Sequence, residues 1–256
     1  MRDILPLFTS HYSLTSSLLT LDEAGKAKPD GPQSVFDLAQ SVGLKEVVLI
    51  DSKIDGFVQA YKSAEKAKVK LVYGLKLCIC ADMSIKDDPS LKTESKVIVL
   101  IRNTAGYSDL IRLWNRAATD GFYYQARLDW ATLKSFWTPN LILALPFFSS
   151  FLAVNTLTFN RIVPDFPVAP VVFREIGSEL PFAHLIDRAI DSYVAEAGIA
   201  AEDVVETKTV LYKSRSDFPA FQTLRCIGER TSFEKPNIDH LSSDAFCLES
   251  WKELTA

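Results

Sequence analysis

EVVLID (46–51), GFVQAYKSAEKA (56–67) and KLVYGLKLCIC (70–80) follow one another in this chain, and their order decides its fold class. The first stretch is a short apolar run that ends in an acid, the pattern of a buried strand. The second places apolar residues at helical spacing and charges between them. The third is again largely apolar and reads as a strand. Working outward, Val35–Gly43 reads as a helix with Gly43 as its stop. Lys96–Arg102 and Leu141–Leu145 read as strands, and Tyr107–Ala118 as a helix with Leu110, Ile111, Trp114 and Ala118 on one face. Val171–Ile176 is a further strand, Pro181–Ala197 a helix stopped by Gly198, and Val204–Tyr212 closes the series.

Alternation of short apolar strands with helices predicts parallel pairing covered by helices, in a barrel or a doubly wound sheet. In a barrel the site lies at the carboxyl ends of the strands. Asp51 and Ser52, and the turns after Arg102, Leu145 and Tyr212, are expected there. No internal repeat, low-complexity tract or clear linker divides the 256 residues.

Composition narrows the function. A hydrophobic share of 48% with a formal net charge of −4 excludes general disorder and a chain-wide cationic field for nucleic acid. Four cysteines are too few for a disulfide scaffold, and without a C-x-x-C pair a zinc ribbon is not expected. Cys78 and Cys80 share a strand face and read as buried. MRDILPLFTS lacks the pattern of a signal peptide, and the apolar run 141–148 is too short to span a bilayer. A soluble, cytoplasmic protein is expected. The nucleophile-elbow, P-loop and dinucleotide glycine motifs are missing from the sequence.

Several blocks then carry a resemblance. His11-Tyr12-Ser13-Leu14, VVLID (47–51), GFVQAYKSAEKAKVKLVYG (56–74), NTAGYSDLIRL (103–113), GFYYQARLD (121–129) and LILAL (141–145) stand in that order. The series resembles the polymerase-and-histidinol-phosphatase (PHP) domain that opens bacterial DNA polymerase III alpha subunits. TLRCIGERTSFEKPNIDHLSSDAFCLESWKEL (223–254) resembles the segment that closes that domain. The resemblance implies a distorted (β/α)7 TIM-like barrel and a single domain over 1–256, with 213–256 as its closing segment. The end at Ala256, just past the closing block, fits an excised domain or a split gene.

Active members of the family hold about three metal ions on His, Asp, Glu and Cys ligands, which activate water and clamp phosphate oxygens. Carried over by position, the opening H-x-H falls on Leu7 and Thr9, and the acid after it on Ser16. The strand-end T-D-H falls on Ile50, Asp51 and Ser52, so only the aspartate is retained. Lys76, Val97 and Phe148 stand for the next Glu, His and Cys, and Thr209 and Leu211 for the late D-x-H. The chain has three histidines, His11, His184 and His240, none within five residues of another. A divalent ion about 4 Å from the Lys76 ammonium would meet repulsion on the order of 8 kcal/mol at an effective dielectric of about 20. The expectation is a filled pocket without metal or other cofactor.

Other residues have two readings. Asp51 is a leftover ligand or base, or a carboxylate that caps the next turn or pairs with Lys53 or Lys76. His11 and His184 are titrating groups, or surface and packed residues. Lys62, Lys66, Lys68 and Lys70 beside Tyr61 and Tyr73 form a phosphate-binding patch or a solvated helix face. Phe122, Tyr123, Tyr124, Arg127 and Trp130 are a partner-binding cluster, a stacking surface for bases, or in part core.

The resemblance therefore implies a catalytically inactive PHP domain, no enzyme by itself. It would act as a structural and protein-binding module of a replication polymerase. Expected partners are the polymerase core or the proofreading exonuclease subunit, with nucleic acid only indirectly engaged and no membrane. Two alternatives remain: a metal-dependent phosphoesterase or exonuclease remodelled around Asp51, and an interaction protein unrelated to replication on a borrowed barrel.

Overall fold

A computed structural model describes residues 3–28, 31–232 and 243–256. The class is mixed α/β, a closed seven-stranded β-barrel with helices, as in TIM-like barrels of the PHP type. By compactness the chain divides into two units: residues 1–73, 175–181 and 206–256, and residues 74–174 and 182–205.

In the first unit the central strands are β1 (Leu5–Phe8), β2 (Glu46–Asp51) and β8 (Val204–Val210, of which 206–210 belong here). β1 runs parallel to both others, with Leu7 opposite Val48 on one side and Thr209 on the other. β2 is buried from Val47 to Asp51, on both faces, which is why its sequence is a continuous apolar run rather than an alternation. The helices of this unit are α1 (Val35–Ser41), α2 (Phe57–Ala67), α8 (Phe218–Glu229) and α9 (Leu248–Thr255). Ser34 caps α1 through the Phe36 amide, at 3.1 Å. The α2 start packs tightly: a Cβ on Gly56 would stand 2.8 Å from the Tyr12 ring and 3.0 Å from Leu21.

The second unit holds β3 (Lys70–Cys80, from Gly74 onward), β4 (Ser95–Ile101), β5 (Arg127–Asp129), β6 (Leu141–Leu145) and β7 (Val171–Glu175, to Arg174). Its helices are α3 (Asp88–Leu91), α4 (Thr104–Thr119), α5 (Trp130–Ser135), α6 (Phe151–Thr158) and α7 (Ala183–Ala197). Here the expectation of all-parallel pairing is corrected. β4 is antiparallel to both β3 and β6, while β3–β5 and β6–β7 are parallel. The chain returns from β3 through residues 81–94 and enters β4 beside the end it left, with Ser95 opposite Ile79. In consequence the turn after Arg102 is not at the strand end expected for it. The Arg102 amide donates to the Asn140 carbonyl at the start of β6, the end opposite the turn after Leu145.

The buried stripe of α4 is also rotated from the expected one. Gly106, Asp109, Leu110, Leu113 and Ala117 are buried, whereas Ile111, Trp114 and Ala118 are half-buried. Close approach fixes this rotation, because a Cβ on Gly106 would lie 2.4 Å from the Asn140 carbonyl oxygen. Asp109 then bonds Asn140 Nδ2 at 2.9 Å and Thr138 Oγ1 at 2.6 Å.

Among the described residues no helix is long and apolar enough to cross a membrane. The four cysteines are unpaired and buried, as expected of Cys78 and Cys80.

Candidate functional site

Asp51, the one acid retained at the replaced ligand positions, ends β2 and is 0% exposed. Its neighbours are hydroxyls and one amide. Ser10 donates to it twice, from its amide at 2.9 Å and from its hydroxyl at 2.8 Å. Ser13 donates its hydroxyl at 2.8 Å and in turn accepts the Ser52 amide, also at 2.8 Å. Of its two readings the structural one describes this geometry, but through serines: the expected pairing with Lys53 gives way to a knot that ties the 10–13 turn to the end of β2. Burial pushes the Asp51 carboxyl above the usual carboxylate range, against the hydrogen bonds of Ser10 and Ser13, which pull it down.

Around it in the first unit, Leu7 and Leu211 are buried. Thr9 is half-buried and donates its hydroxyl to the Ile50 carbonyl at 3.1 Å. Ser16 bonds the local Leu14 carbonyl, and Ser52 is exposed. Thr209 holds a carboxylate rather than replacing one: its amide lies 3.0 Å from both Glu175 oxygens, and its hydroxyl donates at 2.7 Å. In the second unit Val97 is buried, Lys76 half-buried, and Phe148 half-buried with its ring edge-on to Phe147.

Among the described residues no group of three or more His, Cys, Asp or Glu could hold a metal ion. The donor chemistry at the replaced positions agrees. Aliphatic and aromatic side chains supply no lone pair, and Asp51 already accepts three hydrogen bonds. This set does not fit the three-metal centre that the family implies.

The five residues of the aromatic cluster divide. Phe122 is 52% exposed and Tyr124, at φ 58°, is 76% exposed, with Tyr123 half-buried between them. Arg127 and Trp130 are corrected as contact residues, because both are buried in the second unit. Arg127 is 0% exposed and donates to the carbonyls of Gly121 and Ile85, to Ser90 Oγ and to Glu94. Its guanidinium also lies 5.1 Å from the Tyr123 ring centroid. Trp130 packs edge-on against Phe166. An arginine inside a GFYYQARLD loop thus staples that loop to the segment 85–94 from within.

The remaining described candidates lie at the surface. His11 is exposed beside Tyr12, and His184 is exposed on α7. His240 lies outside the described residues. Lys62, Lys66, Lys68 and Lys70 are exposed, with Lys66 paired to Glu23 and Lys70 to Glu46. Burial pushes both strand thiols up, Cys80 to about 11. The sequence reading missed Ser10, Ser13, Glu175 and Lys208. Its available signals were the two serines in FTSHYS (8–13) and a lysine within the strand VVETKTV (204–210).

Barrel strands with helices, and strand ends at the positions where the resemblance puts ligands, define a TIM-like α/β protein. Residues 11–153, more than half of the chain, match the family described as PHP domain, and the chain belongs to that family. It is 22% identical over 264 residues to DNA polymerase III subunit alpha of Borreliella burgdorferi, covering 95% of this chain and 21% of that one. Against DNA polymerase III subunit alpha of Deinococcus radiodurans the identity is 24% over 216 residues, covering 78% and 16%. The chain spans about a fifth of the length of these curated relatives. A solved structure from Bifidobacterium adolescentis, described as a metal-dependent phosphoesterase, is similar at 16% identity over 44% of this chain and 35% of that one, with a TM-score of 0.23.

Membership in the family corrects the expectation that this chain alone is no enzyme. The PHP name joins polymerases with a phosphatase.

Proposed function

We propose that this chain is a structural and protein-binding module of a DNA replication polymerase, a PHP-like domain over 1–256 closed by 213–256. Its partner would be the polymerase core or a proofreading exonuclease subunit, in the cytoplasm. The observation that carries this reading is the match of 95% of the chain to a DNA polymerase III alpha subunit. The barrel-end polar groups support it, since Asp51 and Glu175 are engaged by the protein's own donors. Such groups stabilise a scaffold. The reading is tested by gel filtration of the purified chain with the polymerase core and with the exonuclease subunit of its own source. Co-elution with one of them is expected. Separate elution from both at micromolar concentrations would remove the reading.

A second reading, phosphoester hydrolysis at the Asp51 end, is favoured by the family membership. It requires the serine hydroxyls to release the carboxylate. Hydrolysis of a generic phosphoester with added manganese, compared between wild type and Asp51→Ala, decides it. A rate that falls in the variant supports it, and equal background rates eliminate it.

A further inference from the structure

Lys208 is a lysine inside the first unit, 0% exposed at its side chain. Its ammonium meets an arrangement of oxygens. The carbonyl of Gly177 lies at 2.6 Å and that of Ile176 at 3.1 Å. The Glu175 carboxylate stands at 3.8 Å, and the Phe246 ring centroid at 5.4 Å. Two converging carbonyls, a carboxylate and an aromatic face are the surroundings of a bound cation. The turn that supplies them is bent: Gly177 has φ 60° and Glu179, without a glycine's freedom, φ 57°. A Cβ at Gly177 would meet the Leu254 side chain at 2.9 Å. Carbonyl dipoles aimed at one point repel each other, so such a turn needs a positive charge at its focus.

The same turn is held at its other end. Arg215 bonds Glu179 at 3.1 Å, Asp244 at 2.5 Å and Glu253 of α9 at 3.1 Å. One buried ammonium and one guanidinium thus clamp residues 175–179 to β8 and α9.

We propose that residues 175–177 form a cation site whose occupant is the chain's own Lys208 ammonium, and that a small alkylammonium ion takes the site when that side chain is shortened. The proposal concerns this turn alone and stands whether or not the docking reading does.

Thermal unfolding of the full chain tests it, with Lys208→Ala and Lys208→Met. Methionine fills the volume without the charge, so a cation site predicts that both variants lose on the order of 10 °C in Tm. Propylammonium chloride at about 0.2 M then raises the Tm of Lys208→Ala by several degrees over equal sodium chloride, because it binds only the folded state. Propanol, the same shape without charge, gives no such rise, and wild type and Lys208→Met do not respond. The proposal is overturned if Lys208→Met unfolds within about 2 °C of wild type. It is equally overturned if propanol rescues as well as propylammonium, or if propylammonium does nothing for Lys208→Ala. Should Lys208→Ala be unfolded in sodium chloride, recovery of the folded circular-dichroism spectrum in propylammonium supports the site, and no recovery overturns it.

Discussion

Replacing Asp51 by alanine removes the acceptor of three hydrogen bonds at the end of β2. The buried Ser10 amide loses its partner outright, at a cost of about 1–3 kcal/mol. The two serine hydroxyls lose charge-assisted bonds but can turn: Ser10 Oγ still accepts the Tyr12 amide, and Ser13 Oγ the Ser52 amide. Against these losses, the variant no longer buries a carboxylate, whose desolvation is the largest influence on its titration. The balance is a loss of about 2–4 kcal/mol, or about 5–15 °C in Tm for a chain of this size. Urea unfolding followed by circular dichroism measures it. The loss also has a pH dependence whose sign is fixed. Because the folded carboxyl titrates above its unfolded value, the unfolded chain releases this proton first as pH rises. Asp51 therefore contributes most below the unfolded carboxylate range, near pH 4, and less as pH rises through its folded value. Comparison with Asp51→Asn, which does not titrate, should show the wild-type advantage shrinking from pH 4 to pH 7. An alanine variant within about 0.5 kcal/mol of wild type, or a wild-type advantage that grows with pH, would refute the description of Asp51 as a buried structural acceptor.

Four further outcomes are expected. Arg127→Met, which keeps bulk but removes the guanidinium's bonds to the Gly121 and Ile85 carbonyls and its ion pair with Glu94, should lose about 3 kcal/mol in urea unfolding. Phe122→Ala in the same assay should stay within about 0.5 kcal/mol, because half of that side chain is in water. Gly121→Ala places a Cβ 1.9 Å from the Arg127 carbonyl oxygen, a backbone atom that cannot turn aside, so a loss of at least about 3 kcal/mol is expected. Cys78 and Cys80, buried and with thiol titration pushed up, should react with a disulfide reagent far more slowly in the native protein than in denaturant.

Much of the fold was legible. β2, β3 and β6 appear within the ranges their apolar runs predict, because strands buried on both faces leave an uninterrupted signal. Strand direction was not legible. The residues of β4 are the same whichever way it runs, and the connection 81–94 is long enough for either a hairpin-like return or a crossover. The helices α5 and α6 fall between successive strands but are too short to show a helical period, and were missed although Asp129 and Ser150 stand as their caps.

The site was half legible. Position-by-position comparison found Asp51 and the residues beside it, since a strand end is a fixed place in a barrel. It could not find what holds Asp51, because Ser10 and Ser13 reach it across some 40 residues of sequence, at β1's exit. Arg127 misled for a related reason. Beside three aromatic residues an arginine reads as a surface contact, but here its donors are consumed by carbonyls inside the loop. Lys208 shares a strand face with Val204 and Val210 in VVETKTV, but a charged residue reads as exposed, so its burial was passed over.

Docking of this chain within a replication polymerase assembly is the proposal most open to direct test. The most direct measurement is a pull-down with the tagged full chain as bait from the extract of its own source, with captured proteins identified by mass. The account predicts recovery of polymerase core or proofreading exonuclease subunits, retained at physiological salt. Recovery of neither, from an extract in which both are detectable and the bait is folded, would contradict it.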